Sequence, residues 1–141
     1  MSALPRVTDL IPHRGPAVLL DRILDVSPTR CLARVRLEPG AWYLQADGTV
    51  PAWVGLEWMA QAAAAFSGHR HRLAGREPRI GFLLGTRSYE ALVPQFPVGS
   101  NLEVEAEVLF LDDSGPGAFT CAVRHKGETL ARARLKAIET P

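Results

Sequence analysis

One long helical segment constrains the fold more than any other feature of the chain. It begins near Pro51, is apolar on nearly every side as far as Phe66, and ends at Ala74-Gly75. Proline suits the start of a helix and glycine suits its end. A helix that is apolar all round is surrounded by other structure. The rest of the chain must therefore wrap around this segment.

Strand-like segments stand on both sides of the helix. They lie at 17–26 and 31–38 before it, and at 80–93, 102–111 and 118–125 after it, with a last strand that includes 131–137. Most alternate apolar and polar residues, which is typical of strands with one buried face. This parity predicts that Phe110 points inward. A change of parity near Gly85 predicts a bulge there.

About six strands, joined mostly by hairpin signals, have a single helix between the second and the third. This order predicts an α+β fold in which a curled antiparallel sheet wraps around one long central helix, the hotdog arrangement. A length of 141 residues fits a single domain over residues 1–141. An open curled sheet leaves long edges, so we expect a dimer as the minimum assembly.

Charge and motif content argue against several classes of function. A formal net charge of +1 disfavours a nucleic-acid binder that neutralises phosphates. Cys31 and Cys121 have no metal-ligand spacing and are predicted to be buried thiols. No nucleotide or phosphate motif occurs, so no cofactor is expected. His69 and His71 are interpreted as solvated charges at the helix end. Without a secretion signal or a membrane span, the chain is expected to be cytoplasmic.

Glu57 interrupts the apolar part of the helix. A carboxylate without partners is costly to bury, so this residue is either well paired or chemically active. Gln61 follows one turn later on the same helix face and is its natural hydrogen-bond partner. A purely structural carboxylate bonded to Gln61 is the competing interpretation.

Two segments carry motifs of a known family. Leu10-Ile-Pro-His-Arg-Gly-Pro-Ala-Val-Leu-Leu-Asp-Arg22 and Pro51-Ala-Trp-Val-Gly-Leu-Glu-Trp-Met-Ala-Gln61 resemble motifs of the 3-hydroxyacyl-acyl-carrier-protein dehydratases of fatty-acid synthesis. The Pro-Ala-Trp start of the helix is further similar to the predicted dehydratases of aryl polyene pigment pathways. The resemblance implies a hotdog enzyme that removes water from a 3-hydroxyacyl thioester on an acyl carrier protein, leaving a trans-2-enoyl thioester.

The resemblance also implies roles for single residues. Glu57 matches the family's helix carboxylate and is expected to protonate the departing hydroxyl. Backbone N–H groups around Trp53 and Val54 are expected to hold the thioester carbonyl, because the first amides of a helix lack internal acceptors. The indole of Trp53 is interpreted first as a core side chain. The substrate-binding candidates are Ala52, Trp53, Val54, Gln61 and Phe82.

The catalytic base has two candidates in this chain. The family places its histidine in a Gly-His-Phe-Pro loop ahead of the helix, where this chain has Gln45-Ala-Asp-Gly-Thr-Val50. Asp47 aligns nearest to that histidine, but Asp-Gly is also typical of a turn. His13 is the substitute that intrinsic pKa favours, with a loop histidine bonded to backbone as the alternative. The catalytic candidates are Glu57, His13 and Asp47.

Three functions are consistent with these features. The first is a dehydratase that takes its base from His13, Asp47 or another subunit. The second is a catalytically incomplete hotdog subunit that pairs with a complete dehydratase, since the family's sites lie between two subunits. The third is a hotdog acyl thioesterase. The expected partners are the substrate-bearing carrier protein and a second hotdog chain, identical or not.

Overall fold

The structure is a computed structural model that describes residues 4–76, 81–112 and 115–139, with all side chains in these ranges except those of 52, 81–84, 87 and 139. In chain order the elements are α1 (Val7–Leu10), a 3₁₀ turn (Gly15–Ala17), β1 (Arg22–Val26), β2 (Arg30–Leu37), α2 (Ala52–Leu73), β3 (Gly81–Ala91), β4 (Ser100–Leu111), β5 (Pro116–His125) and β6 (Glu128–Glu139). Neither helix in these ranges is both long and apolar enough to pass through a bilayer.

The strands of the described residues form one six-stranded antiparallel sheet in the order β1-β2-β4-β5-β6-β3. The long helix α2 connects β2 to β3 and packs on the inner face of this sheet. It begins directly after Pro51 and ends before Gly75, which has a left-handed φ of +73°. The predicted hotdog arrangement is confirmed.

A row of small inward side chains crosses the sheet beneath the helix. Cys31 of β2 lies opposite Ala106 of β4, which lies opposite Cys121 of β5, which in turn lies opposite Ala133 of β6. All four are buried, as predicted for the cysteines. Small side chains at the contact reduce the distance between a helix and the sheet it packs on. The alternation seen in the sequence therefore decides how closely α2 approaches the sheet.

Two strand predictions are wrong. Residues 17–21 do not form a strand, because a 3₁₀ turn begins at Gly15 and the Leu19 N–H donates to a side chain of α2 instead of a neighbouring strand. Phe110 is 51 % exposed, because the register shifts between Val108 and Phe110 and reverses the parity of the strand end. The predicted bulge near Gly85 is confirmed by a register shift in the pairing of β3 with β6.

The short helix α1 packs on the carboxyl-terminal half of α2. A side chain at Gly68 would place its Cβ 1.9 Å from the Leu10 carbonyl oxygen, so only glycine permits this contact. His71 lies three residues further along the same face of α2 and is buried. The interpretation of His71 as a solvated charge is therefore wrong, because this face of the helix is covered.

Candidate active site

Glu57 lies in the second turn of α2, on the face that also carries Trp53 and Gln61 at spacings of four residues. Its side chain keeps 36 % of its surface exposed. The carboxylate is therefore neither fully buried nor free in solvent. It is accessible from outside the chain and is held by neighbours on one side.

The segment after α1 brings His13 to Glu57. Leu10 and Ile11 are buried against α2, and the Arg14 guanidinium donates to the carbonyls of Ile11 at 2.8 Å and His13 at 2.6 Å. These bonds hold the turn that presents the imidazole. His13 Nε2 lies 3.6 Å from Glu57 Oε1, which is the distance of an ion pair when the imidazole is protonated. The two groups form a candidate acid–base pair within one chain.

Gln61 supports this pair from beneath. Its side chain is fully buried, and its Oε1 accepts a hydrogen bond from the Leu19 N–H at 3.0 Å. Its amide nitrogen must then be the donor, to the Ala17 carbonyl at 2.7 Å and to Glu57 Oε1 at 3.0 Å. Because Oε1 of Glu57 accepts this bond, a proton on the carboxyl group is directed to Oε2.

The structure changes the role predicted for Gln61. A side chain with no exposed surface and with both amide atoms bonded within the chain positions other groups, so it does not form the substrate-binding surface. The predicted hydrogen bond between Gln61 and Glu57 is confirmed. The bonds of Gln61 to Ala17 and Leu19 also connect α2 to the segment that follows His13. The same three bonds thus position both members of the pair.

Asp47 lies in the turn that its Asp-Gly sequence indicates. Its Oδ1 accepts hydrogen bonds from the Thr49 N–H at 3.1 Å and from the Thr49 hydroxyl at 2.6 Å. The hydroxyl bond, followed by the backbone bond, lowers the pKa of Asp47 from its usual value. A carboxylate that is stabilised in its charged form is a poor base. The turn interpretation is therefore confirmed by these bonds, and the role of Asp47 as a catalytic base stays a prediction.

The start of α2 holds three of the predicted substrate-binding residues. The Val54 N–H already donates to the Pro51 carbonyl at 3.1 Å, and the Val54 side chain is fully buried. Helix geometry leaves the preceding amides, those of Ala52 and Trp53, without an intrahelical acceptor. The Trp53 indole is 52 % exposed, so its interpretation as a core side chain is wrong. The side chains of Ala52 and Phe82 lie outside the described residues.

One feature of the sequence, Gly68, could have predicted that His13 lies near Glu57. Glu57, Gln61 and Gly68 share one face of α2, and a glycine on a helix face permits another backbone to approach closely. That approach is made by Leu10, three residues before His13. The described part of the chain holds no group of three or more His, Cys, Asp or Glu side chains arranged to bind a metal ion.

Comparison with known proteins identifies the family. The model of the ApeP-like family, described as ApeP dehydratase, matches residues 5–141. The chain belongs to this family. It is a dehydratase with a hotdog fold, as its motifs predicted.

Relatives of this ApeP-like dehydratase agree with that assignment. The 3-hydroxyacyl-acyl-carrier-protein dehydratase FabZ of Bartonella henselae is 26 % identical over 140 residues, which cover 96 % of this chain and 88 % of the relative. A chain in the solved dehydratase heterocomplex ApeI:P from Xenorhabdus doucetiae is 29 % identical, with a TM-score of 0.92 and coverage of 99 % of this chain and 93 % of that one.

More distant hotdog structures share the fold. A hypothetical thioesterase from Streptococcus pneumoniae TIGR4, solved with coenzyme A, has a TM-score of 0.68 at 11 % identity and covers 84 % of each chain. At this identity the likeness shows the fold alone. It adds no support to the thioesterase interpretation.

Proposed function

We propose that this chain removes water from a 3-hydroxyacyl thioester carried by an acyl carrier protein, in fatty-acid or polyene-like biosynthesis, and that Glu57 and His13 are its acid and base. The observation that carries the proposal is the 3.6 Å separation of His13 Nε2 from Glu57 Oε1, with Gln61 bonded to the same carboxylate oxygen. The family membership supports the reaction type, and the geometry supports the choice of residues.

The reaction needs a base at C2 and an acid at C3 of the acyl group. His13 Nε2 removes the proton from C2, the electron pair forms the C2–C3 double bond, and the C3–O bond breaks. Glu57 gives the proton on Oε2 to the departing hydroxyl, which leaves as water. The resulting imidazolium and carboxylate attract each other at this distance. Return of the proton from His13 to Glu57 restores the starting state.

Charge that develops on the thioester oxygen also needs a donor. The amides of Ala52 and Trp53 at the start of α2 support this role, because helix geometry leaves them without internal acceptors and the helix dipole favours negative charge there. Trp53 is four residues from Glu57, so these amides lie one turn from the carboxyl group on the same helix.

We further propose that the chain works with a second, non-identical hotdog dehydratase subunit. Two observations support this partner. The similar chain from Xenorhabdus doucetiae was solved in a dehydratase heterocomplex. In addition, this chain has Gln45-Ala-Asp-Gly-Thr-Val50 ahead of α2, where the dehydratases of fatty-acid synthesis that it resembles have a Gly-His-Phe-Pro loop. The same observations favour a second candidate function, in which this chain is catalytically incomplete and supports the activity of its partner.

One assay separates these functions. The purified chain, alone and mixed with a FabZ-like dehydratase from the same genome, is incubated with a 3-hydroxyacyl carrier protein, and the products are followed by mass spectrometry. We expect the enoyl thioester as the product. Glu57→Gln and His13→Asn should each reduce the rate of its formation by about 100-fold to 10,000-fold. Glu103→Gln, which changes an exposed carboxylate on the outer face of the sheet, is the matched control and should leave the rate unchanged.

Each other outcome selects a different function. Product that forms only in the mixture and persists with both variants would show that the partner holds the whole catalytic set. Product that forms only in the mixture and is lost in Glu57→Gln would show a site that the two chains share. Release of the free acid would identify a thioesterase and overturn the proposal.

A further inference from the structure

The face of α2 that carries Glu57 is covered unevenly. Gln61 and the residues beyond it lie under the segment that contains α1 and the 3₁₀ turn, and Gln61 has no exposed surface. One turn earlier the Glu57 side chain is 36 % exposed, and one turn earlier again the Trp53 indole is 52 % exposed. The amino-terminal part of this face therefore has no covering element in the described part of the chain.

A second tryptophan extends this uncovered area. Trp42 is 61 % exposed, and its ring centre lies 6.4 Å from that of Trp53. Its indole N–H donates to the Pro16 carbonyl at 2.9 Å, which fixes Trp42 to the segment between His13 and Ala17. We call Trp42 and Trp53 the tryptophan surface. It is continuous with Glu57 along the helix and with His13 along the chain.

The tryptophan surface has the properties of an interface centre. Tryptophan is enriched among the few side chains that dominate binding energy, because a large rigid ring loses much water contact and little conformational freedom on burial. Trp42 is already oriented by its hydrogen bond, so less order has to be imposed on binding.

The site is open to solvent in the isolated chain. Excluding water strengthens the electrostatic interactions inside a site, and the His13 and Glu57 side chains keep 30 % and 36 % of their surface exposed. A carrier protein must leave after each turnover, whereas a subunit that buries two indoles stays bound. A permanent subunit seated on Trp42 and Trp53 would extend over the adjoining acid–base pair.

We infer that Trp42 and Trp53 form the aromatic centre of the interface with the non-identical hotdog dehydratase subunit, and that this interface closes the His13–Glu57 site against water. This inference rests on the proposed function. It adds that the tryptophan surface recognises the partner. It also adds that the His13–Glu57 site is open to water until the partner binds.

Fluorine NMR of the complex tests the inference directly. The chain has three tryptophans, at positions 42, 53 and 58, and Trp58 is fully buried. We label only this chain with 5-fluorotryptophan, assign the three resonances with Trp42→Phe and Trp53→Phe, and titrate in unlabelled FabZ-like partner. The resonances of Trp42 and Trp53 should shift and lose their sensitivity to the exchange of H₂O for D₂O, while that of Trp58 stays in place.

A matched pair of variants measures the contribution to binding. Trp53→Arg should raise the Kd for the partner at least about 30-fold, as expected for a central aromatic side chain. Phe110→Arg changes an equally exposed aromatic residue at the end of β4 and should leave the Kd within about twofold. Circular dichroism checks that both variants fold.

The outcomes separate this inference from the function on which it rests. Glu57→Gln should bind the partner normally and be inactive; an active Glu57→Gln would overturn the catalytic assignment and leave the interface standing. Normal partner binding by Trp53→Arg overturns the inference. It is also overturned if the carrier protein alone shifts the two resonances, or if the chain alone forms a dimer that Trp53→Arg dissociates, since the occupant is then a different one.

Discussion

The two halves of α2 differ in what covers them. The carboxyl-terminal half lies beneath α1, with Gly68 in contact with the Leu10 carbonyl and with His71 buried. The amino-terminal half presents Glu57 and Trp53 to the outside. One helix therefore serves two purposes: its covered half stabilises the fold and places His13, and its open half provides the chemistry and a surface for a partner. Substitutions in the two halves should have different consequences.

Gly68→Ala should have the largest effect on stability. Its Cβ would lie 1.9 Å from the backbone oxygen of Leu10, so α1 would have to move away from α2. We expect the free energy of unfolding, measured with urea, to fall by about 3 kcal/mol or more. Gly40→Ala is the matched control, since a Cβ there meets no atom within 4 Å. Equal stability of the two variants would contradict the close contact between α1 and α2.

Gln61→Met should have the next largest effect on stability. Gln61 lies at the boundary between the covered and the open half of α2. The change removes three hydrogen bonds and leaves the Leu19 N–H and the Ala17 carbonyl without their partner. We expect a loss of about 2 to 4 kcal/mol in the free energy of unfolding. The dehydration kcat should fall as well, while KM changes little, because Gln61 orients Glu57 without contacting the substrate. A raised KM at constant kcat would instead indicate a binding role.

Cys31 and Cys121 are buried in the sheet beneath α2. Burial raises the pKa of the Cys31 and Cys121 thiols from 9.0 to about 12. Because the folded pKa lies above the unfolded one, this stabilisation is complete below pH 9 and is lost as the pH rises towards 12. The free energy of unfolding should fall in this window by up to about 1.4 kcal/mol per thiol and pH unit.

Urea unfolding at a series of pH values checks this dependence. The Cys31→Ala/Cys121→Ala variant should start from a lower stability, because two buried side chains become smaller, but its decline above pH 9 should be shallower. Parallel curves for the two proteins would show that other groups cause the decline. A thiol reagent added at pH 8 should react with the wild-type chain only after unfolding.

Trp53→Ser should have the smallest effect in the isolated chain. Trp53 is 52 % exposed, and its ring centre lies 6.4 Å from that of Trp42, which is 61 % exposed. The free energy of unfolding should change by less than about 1 kcal/mol. Thermal and urea unfolding measure this change. A loss of more than about 2 kcal/mol would show that the open half of α2 also carries stability, and the division between the two halves would then be wrong.

Local pattern was sufficient to predict much of the fold. Alternation gave β2 and β5 to within about two residues, and apolar character with Pro51 and Gly75 bounded α2. The errors arose where a single residue shifts the pattern. A bulge after Val108 exposes Phe110, and Gly15 and Pro16 replace the first half of the predicted first strand with a turn.

The candidate site could be predicted only in part. Glu57 was identifiable because it is a carboxylate in an apolar helix, and its bond to Gln61 follows from helical spacing. The pairing of His13 with Glu57 spans 44 positions and depends on how α1 packs at Gly68, which helical spacing alone does not reveal. The exposure of Trp53 likewise depends on which part of α2 the other segments leave uncovered.

The amino-acid sequence by itself determined the helix, the strands and the dehydratase motifs, because periodicity, capping residues and short motifs act over a few neighbouring positions. The tertiary structure alone decided which histidine lies beside Glu57, that Asp47 belongs to a turn, and that one half of α2 stays open. These outcomes depend on contacts between segments far apart in the chain. They are set by the competition among all segments for the same buried surface, and no local pattern records the result of that competition.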